Sequence, residues 1–299
     1  MNLRALTALT WLTVFSLGVV FVCWSTTAQA APAPQKIGQD LYAYISDNDG
    51  SANSTFLVTP AGILVVDTGL NDLEGQKLLA AMRSISSQPV RYIINTHYHP
   101  DHQGGNGVVG PDAMVVSTEY TRERTELLLA SLPPQQRKSF RLANLTIAPA
   151  LTIFLGGYRV EVYFPGKGHT SGDAIVYFPQ QHAVALGDLF LHDSSPAMDD
   201  GSVQNWIKAL DEVLSKPVQV AIPGHFALGT KQDVQFFRDY LADLFGQVKE
   251  LASRGATLDQ VRRGIHMEKF KSLRQFPQYE ATFGDNAASI YQQLGNGKP

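Results

Sequence analysis

The stretch that decides how this chain folds is "THYHPDH", Thr96–His102, which follows the apolar run "VRYIIN" at 90–95. Three histidines and an aspartate fall within six residues, where a buried strand should end. A single histidine there would be an ordinary polar surface residue. Four potential ligands in six positions are different, because buried without a cation they lose hydration and gain no partner. On an extended segment His97 and His99 point the same way, since side chains alternate with period two. Pro100 then turns the chain, so that Asp101 and His102 could face a second position beside the first. Imidazole and carboxylate are ligand types that zinc accepts, and a catalytic zinc keeps one position for water. Gly104-Gly105 lets the backbone pass close by.

Further ligand types lie downstream, each where a predicted strand runs into a loop. His169 sits in "GKGHTSGD", Asp188 closes "AVALGD", and His225 follows "VQVAIP" in "IPGHF". Five of the eight histidines can then converge on one edge of the sheets. His182 and His266 read as surface residues.

The predicted elements form two strand-rich halves. "LYAYIS", "STFLVT" and "GILVVD" open the first, with Pro60-Ala61-Gly62 joining the last two as a hairpin. A helix is predicted over 72–86, with Asp72 as N-cap and Leu78, Leu79, Met82 and Ile85 on one face. "AMVVS" and a charged helix near 118–132 follow, ended by Pro133-Pro134. "LTIFL", "YRVEVYF", "AIVYF" and "AVALGD" open the second half, with helices "SVQNWIKALDEVLS" and "KQDVQFFRDYLADLFGQVKELAS" around the strand "VQVAIP". This interleaving predicts an α/β chain with helices on the outer faces of its sheets.

The 299 residues carry a net charge of −3 and no basic run, which argues against nucleic acid as a partner. Residues 1–30 read as a signal peptide: Arg4, a long uncharged stretch, then Ala28-Gln29-Ala30. Residues 31–299 then form one domain, located in the periplasm or secreted. Membrane contact is expected only if the first segment stays uncleaved. The single cysteine, Cys23, lies in that segment, so no disulfide staples the mature chain.

"THYHPDH", "GHT", "GD" and "GH", in this order and at these separations, resemble the metallo-β-lactamase superfamily of metal-dependent hydrolases. The resemblance implies a four-layer αβ/βα sandwich with a two-metal site at one edge. It assigns His97, His99 and His169 to one metal, Asp101, His102 and His225 to the other, and Asp188 as the bridge. It gives Asp67, at the end of "ILVVD", the task of supporting the ligand loop by hydrogen bonding. Dedicated zinc β-lactamases of the superfamily carry Cys or Ser where this chain has Asp188. The aspartate resembles the glyoxalase II and lactonase branches instead.

Two Zn²⁺ ions with Asp101, Asp188 and a hydroxide leave about one net positive charge, suited to a polarised carbonyl oxygen or an anionic substrate. The resulting expectation is an exported dinuclear zinc hydrolase that opens an ester, thioester, lactone or lactam of a small molecule. A metal-activated hydroxide is the attacking group, and Asp101 positions it or relays its proton. The alternatives are a mononuclear iron enzyme resembling persulfide dioxygenases, and a class B β-lactamase with weak activity. Lys167 and His192 are candidates for the substrate rim, and Asp199, Asp200 and Gly201 for a loop near the mouth. Substrate choice is expected to lie in the loops 189–201, 118–144 and 226–229. Neither the substrate nor the oligomeric state is legible.

Overall fold

Successive residues of the buried strands face opposite ways, and each face has its own core. In Gly62–Val66, Leu64 and Val66 join one apolar cluster while Ile63 and Val65 join another. In Ile175–Phe178, Val176 and Phe178 enter the first of these clusters, while Ile175 and Tyr177 enter a third. Period-two alternation with both faces apolar is the pattern of strands covered on both sides. Two sheets stacked face to face, each with helices outside, satisfy it. The computed structural model has this architecture and describes residues 32–198, 200–275 and 282–295. The predicted leader at 1–30 and Asp199 lie outside the described residues. The described residues make up one compact unit.

The first half runs β1 (Gln35–Gly38), β2 (Leu41–Tyr44), β3 (Ser54–Thr59), β4 (Gly62–Val66) and α1 (Asp72–Arg83). It continues with β5 (Val90–Ile94), α2 (Pro100–Gln103), α3 (Asn106–Val109), β6 (Met114–Thr118), α4 (Glu119–Ser131) and β7 (Leu145–Ile147). The second half comprises β8 (Ala150–Leu155), β9 (Tyr158–Tyr163), β10 (Ile175–Phe178), β11 (Ala183–Gly187) and α5 (Val203–Ser215). It closes with β12 (Val220–Pro223), α6 (Lys231–Ser253), α7 (Leu258–Gly264) and α8 (Phe283–Gln293). Strands β1 to β7 form one sheet in chain order, and the other has the order β12-β11-β10-β9-β8.

Between the sheets lie Leu57, Leu64, Val66, Ile94, Val116, Val160, Val162, Val176 and Ile222. Leu78 and Met82 of α1 cover the outside of the first sheet. Trp206, Leu210 and Val213 of α5, with Phe237, Leu241, Leu244 and Val248 of α6, cover the outside of the second. Their i, i+3, i+4 and i+7 spacing places them on single helix faces. Each large side chain so buried stabilises by about 1.5–3 kcal/mol, which is how a cysteine-free domain holds together. Among the described residues no helix is long and apolar enough to cross a membrane.

Several boundaries differ from the sequence expectation. The N-cap of α1 is Asn71, not Asp72, because the Asn71 side chain accepts from the backbone N–H groups of Leu73 and Glu74. That helix ends at Arg83, so Ile85 lies beyond it and is 41% exposed. Strands β1 and β7 and helices α7 and α8 carried too little periodicity to be predicted.

Parallel pairing is what places the ligands. Strand β4 runs parallel to β5, and β11 parallel to β12, so their C-terminal ends emerge side by side. The Ala174 N–H donates to the Thr96 carbonyl at 2.7 Å, stitching the second half to the first at this edge.

Candidate metal centre

Every ligand-type residue singled out in the sequence arrives at the same edge, in two groups. His97, His99, His169 and Asp188 form one, and Asp101, His102 and His225 the other. In the first, His97 Nε2 lies 2.9 Å from His99 Nδ1, and His169 Nε2 lies 3.3 Å from that same nitrogen. In the second, Asp101 Oδ2 lies 3.4 Å from His102 Nε2 and 3.1 Å from His225 Nε2. His97 and His99 lie beyond the end of β5, and they converge by offering different ring nitrogens rather than by strand alternation alone. Pro100 starts the one-turn helix α2, with His99 as its N-cap, which swings Asp101 and His102 to the second group.

Asp188 divides its two oxygens between the groups. Oδ2 lies 3.8 Å from His97 Nε2 and 3.5 Å from His169 Nε2. Oδ1 lies 3.3 Å from His102 Nε2 and 3.6 Å from His225 Nε2. Such a carboxylate can face two cations at once. Its approach depends on Gly224, where a Cβ would fall 1.9 Å from Asp188 Oδ1.

Hydrogen bonds behind the rings select the nitrogens that face inward. Asp67 Oδ2 accepts from His102 Nδ1 at 2.7 Å, and the same carboxylate accepts from the Thr96 N–H at 2.8 Å and the Thr96 hydroxyl at 2.7 Å. His169 Nδ1 donates to the Ala197 carbonyl at 3.1 Å, leaving Nε2 for the site. This is the arrangement that orients metal-binding imidazoles. Asp67 holds φ at +54°, a left-handed conformation that Asp and Asn tolerate better than most residues.

The electrostatics of the bare side chains point the same way. Burial works against charge on Asp188, but the imidazoles of His102 and His225 outweigh it and hold the carboxyl well below the usual carboxylate range. Burial would lower His102, yet Asp188, Asp101 and Asp67 raise it well above the ordinary imidazole value. His97 is driven well below that value, first by burial and then by its neighbours His102 and His99. Two buried atoms, His102 Nε2 and Asp188 Oδ1, find no hydrogen-bond partner. With Nδ1 donating to Asp67, His102 Nε2 offers a lone pair, as Asp188 Oδ1 does, and two orphaned lone pairs aimed at one spot fit a cation between them. The spacings fit as well: a tetrahedral zinc with Zn–N of about 2.0–2.1 Å has ligand–ligand edges of about 3.3–3.4 Å.

A cavity of about 440 Å³ opens onto the groups, lined by Asp101, His169, Asp188 and His225. Leu70, Pro100, Leu191, Ala197 and Phe226 form its apolar walls, with Asp49, Gly50, Ser194 and Ser195 completing them. The loop 189–201 supplies four of these residues, and Phe226 comes from the 226–229 loop. The segment 118–144 supplies none, contrary to expectation. Of the two rim candidates, Lys167 is exposed and His192 Nδ1 lies 3.1 Å from the Ala227 carbonyl, beside Asp233; neither is among the residues lining the cavity. Asp200 also faces away, pinning the Ser171 N–H and hydroxyl and accepting from Tyr120.

Sequence reading missed Asp173, whose carboxylate collects the N–H groups of Gly168 and Thr170 and the Thr170 hydroxyl, shaping the loop that carries His169. Burial pushes it up to about 7 against those hydrogen bonds. The "TSGD" in "GHTSGD" was its available signal.

Comparison with known proteins places this geometry. Residues 47–225 match the family model described as the metallo-beta-lactamase superfamily. A type 2 metallo-beta-lactamase of Bacillus cereus is 26% identical over 193 residues, covering 63% of this chain and 72% of that protein. The alpha subunit of a 2,4-dinitroanisole O-demethylase from Nocardioides sp. (strain JS1661) is 25% identical over 233 residues, covering 76% of this chain and 66% of its own. Among solved structures, a metallo-beta-lactamase from Pontibacter korlensis superposes with a TM-score of 0.59 at 26% identity, over 70% of this chain and 98% of that one. With the family model spanning more than half of the sequence and the two ligand groups in place, this chain belongs to the metallo-β-lactamase superfamily.

Proposed function

We propose that the chain is an exported hydrolase working with two zinc ions on a small, uncharged carbonyl substrate. The observation that carries the reading is Asp188, with one oxygen turned to each ligand group. His97, His99 and His169 would hold one ion, Asp101, His102 and His225 the other, and Asp188 both. Zinc, when bound, polarises a carbonyl and brings water to a pKa near 7. The chain's own residues then divide the remaining work. Asp101 lines the cavity and orients the attacking water, accepting its proton at a carboxylate oxygen. Leu70, Pro100, Leu191, Ala197 and Phe226 seat an apolar acyl or aryl group and exclude bulk water. No Lys or Arg stands among the described lining residues, while Asp49 does. That combination favours neutral lactones and esters over substrates that carry a carboxylate.

The test is a panel of neutral lactones and aryl esters, carboxylate-bearing β-lactams and anionic thioesters. Each is assayed with zinc-loaded and metal-stripped protein. The reading expects activity to vanish on stripping, return with zinc, and favour the neutral substrates at least tenfold. Full turnover by the stripped protein would overturn it, and one iron per chain in place of zinc would favour the oxygenase reading. Export is tested by sequencing the N-terminus of the protein recovered outside the cytoplasm, which should begin at Ala31.

A further inference from the structure

The His225 turn is held in an unfavourable backbone conformation. Phe226, next to His225 and on the cavity wall, has φ at +72°. Bulky side chains rarely occupy that left-handed region, and a residue found there must be over-determined by its surroundings. The surroundings that restrain it come from far away in sequence. Asn53, at the start of the β3 region and 4% exposed, grips both sides of the turn. Its side-chain amide donates to the Pro223 carbonyl at 3.1 Å and to the Phe226 carbonyl at 2.8 Å. Its backbone N–H donates to the Gly224 carbonyl at 2.7 Å, and its Oδ1 accepts from the Ser46 N–H at 3.1 Å. Asparagine is suited to this place: two N–H donors and one carbonyl acceptor all find partners.

The same loop reaches Asp101, another ligand of the second group. The Ala52 N–H donates to the Asp101 carbonyl at 3.2 Å, and Ser51 Oγ accepts from the Leu70 N–H at 3.1 Å. Residues Asp49 and Gly50 of this loop stand in the cavity wall. One loop therefore ties the Asp101 backbone to the turn bearing His225, and among the contacts above it makes no hydrogen bond to His97, His99 or His169 themselves.

We propose that Asn53 is the positioning residue of the second metal position. By clamping Pro223 and Phe226, it holds His225 Nε2 toward Asp101 and Asp188. The inference rests on the two-metal reading, and its consequence is asymmetric: loss of the clamp loosens one position and spares the other.

The test titrates metal-free protein with Co²⁺, followed by its visible absorption, and with Zn²⁺ against a competing chelator. Asn53→Ala is compared with Asn53→Asp, which keeps the bond from Ser46 but sets carboxylate oxygens against two carbonyls. Both variants should raise the Kd of the second metal about 10–100-fold, the usual scale for groups that orient a ligand, with the first Kd changed less than threefold. In a Phe226→Gly background, where the left-handed turn carries no penalty, the loss caused by Asn53→Ala should shrink at least threefold. Unchanged second affinity in either variant would overturn the proposal. So would an equal loss at both positions, which marks general unfolding, or an undiminished loss in the Phe226→Gly background. Wild-type protein that binds only one metal would instead overturn the two-metal reading itself.

Discussion

Replacing Asp67 by asparagine should weaken one metal position and leave the other almost intact. Asparagine tolerates the left-handed backbone at this site and has nearly the same volume, so the turn survives. Its carbonyl can still accept from the Thr96 N–H. The loss falls on the other oxygen, which accepts from His102 Nδ1 at 2.7 Å. An amide N–H group there meets the Nδ1 proton, and the conflict is relieved when that proton moves to Nε2. Nε2 is the nitrogen that faces Asp188 Oδ1 at 3.3 Å, where a metal must find a lone pair. Metal-orienting hydrogen bonds of this kind are worth about 10–100-fold in affinity, or about 1.4–2.7 kcal/mol. Folding suffers too, since a buried charge-assisted hydrogen bond contributes about 1.5–3 kcal/mol. In a domain of this size that lowers Tm by several degrees, at about 2–4 °C per kcal/mol. The assay is competition with a fluorescent chelator that resolves two zinc affinities. The second Kd should rise at least tenfold while the first stays within about threefold. Two affinities both within twofold of wild type would refute the role given to Asp67, and so would a common loss at both positions.

Three further outcomes follow from the same geometry. Gly224→Ala places a methyl 1.9 Å from Asp188 Oδ1; it should cost both metal positions more than tenfold in affinity, and wild-type zinc content at equilibrium would refute this. In metal-free protein the folded pKa of His102 is raised, so its stabilisation is complete below the unfolded value of about 6.5 and is lost as pH rises through the folded value. The Tm difference between wild type and His102→Gln should therefore be widest at and below about pH 6.5 and narrow above it; a gap that widens with alkalinity contradicts the sign. Leu191→Lys puts a cation into the apolar wall and should raise turnover of a carboxylate-bearing β-lactam relative to a neutral lactone about tenfold, the scale of one rim charge pair or somewhat above it; an unchanged ratio would show that the wall does not read substrate charge.

The ligand set was legible because it is local chemistry at strand ends: four ligand types in six residues, then single residues closing predictable apolar runs. The layers were legible because Ile63, Leu64, Val65 and Val66 obey the pattern of a strand covered on both faces. Capping was less so, since Asn71 and Asp72 are both good caps and only backbone geometry chooses between them. The cavity wall was least legible. Lys167 lies two residues from His169 in sequence yet is exposed, whereas Asp49 and Leu70 arrive from loops with no motif. Asn53 had no sequence signal at all, because its partners, Pro223 and Phe226, are 170 and 173 residues away.

The central claim is that Asp188 joins two metal positions. Anomalous diffraction at the zinc edge from zinc-loaded crystals tests it most directly. The account predicts two peaks per chain about 3.5–4 Å apart, one beside His97, His99 and His169 and one beside Asp101, His102 and His225, with an Asp188 oxygen on each. A single peak in a fully active protein, or two peaks with Asp188 bound to neither or to one alone, would contradict it.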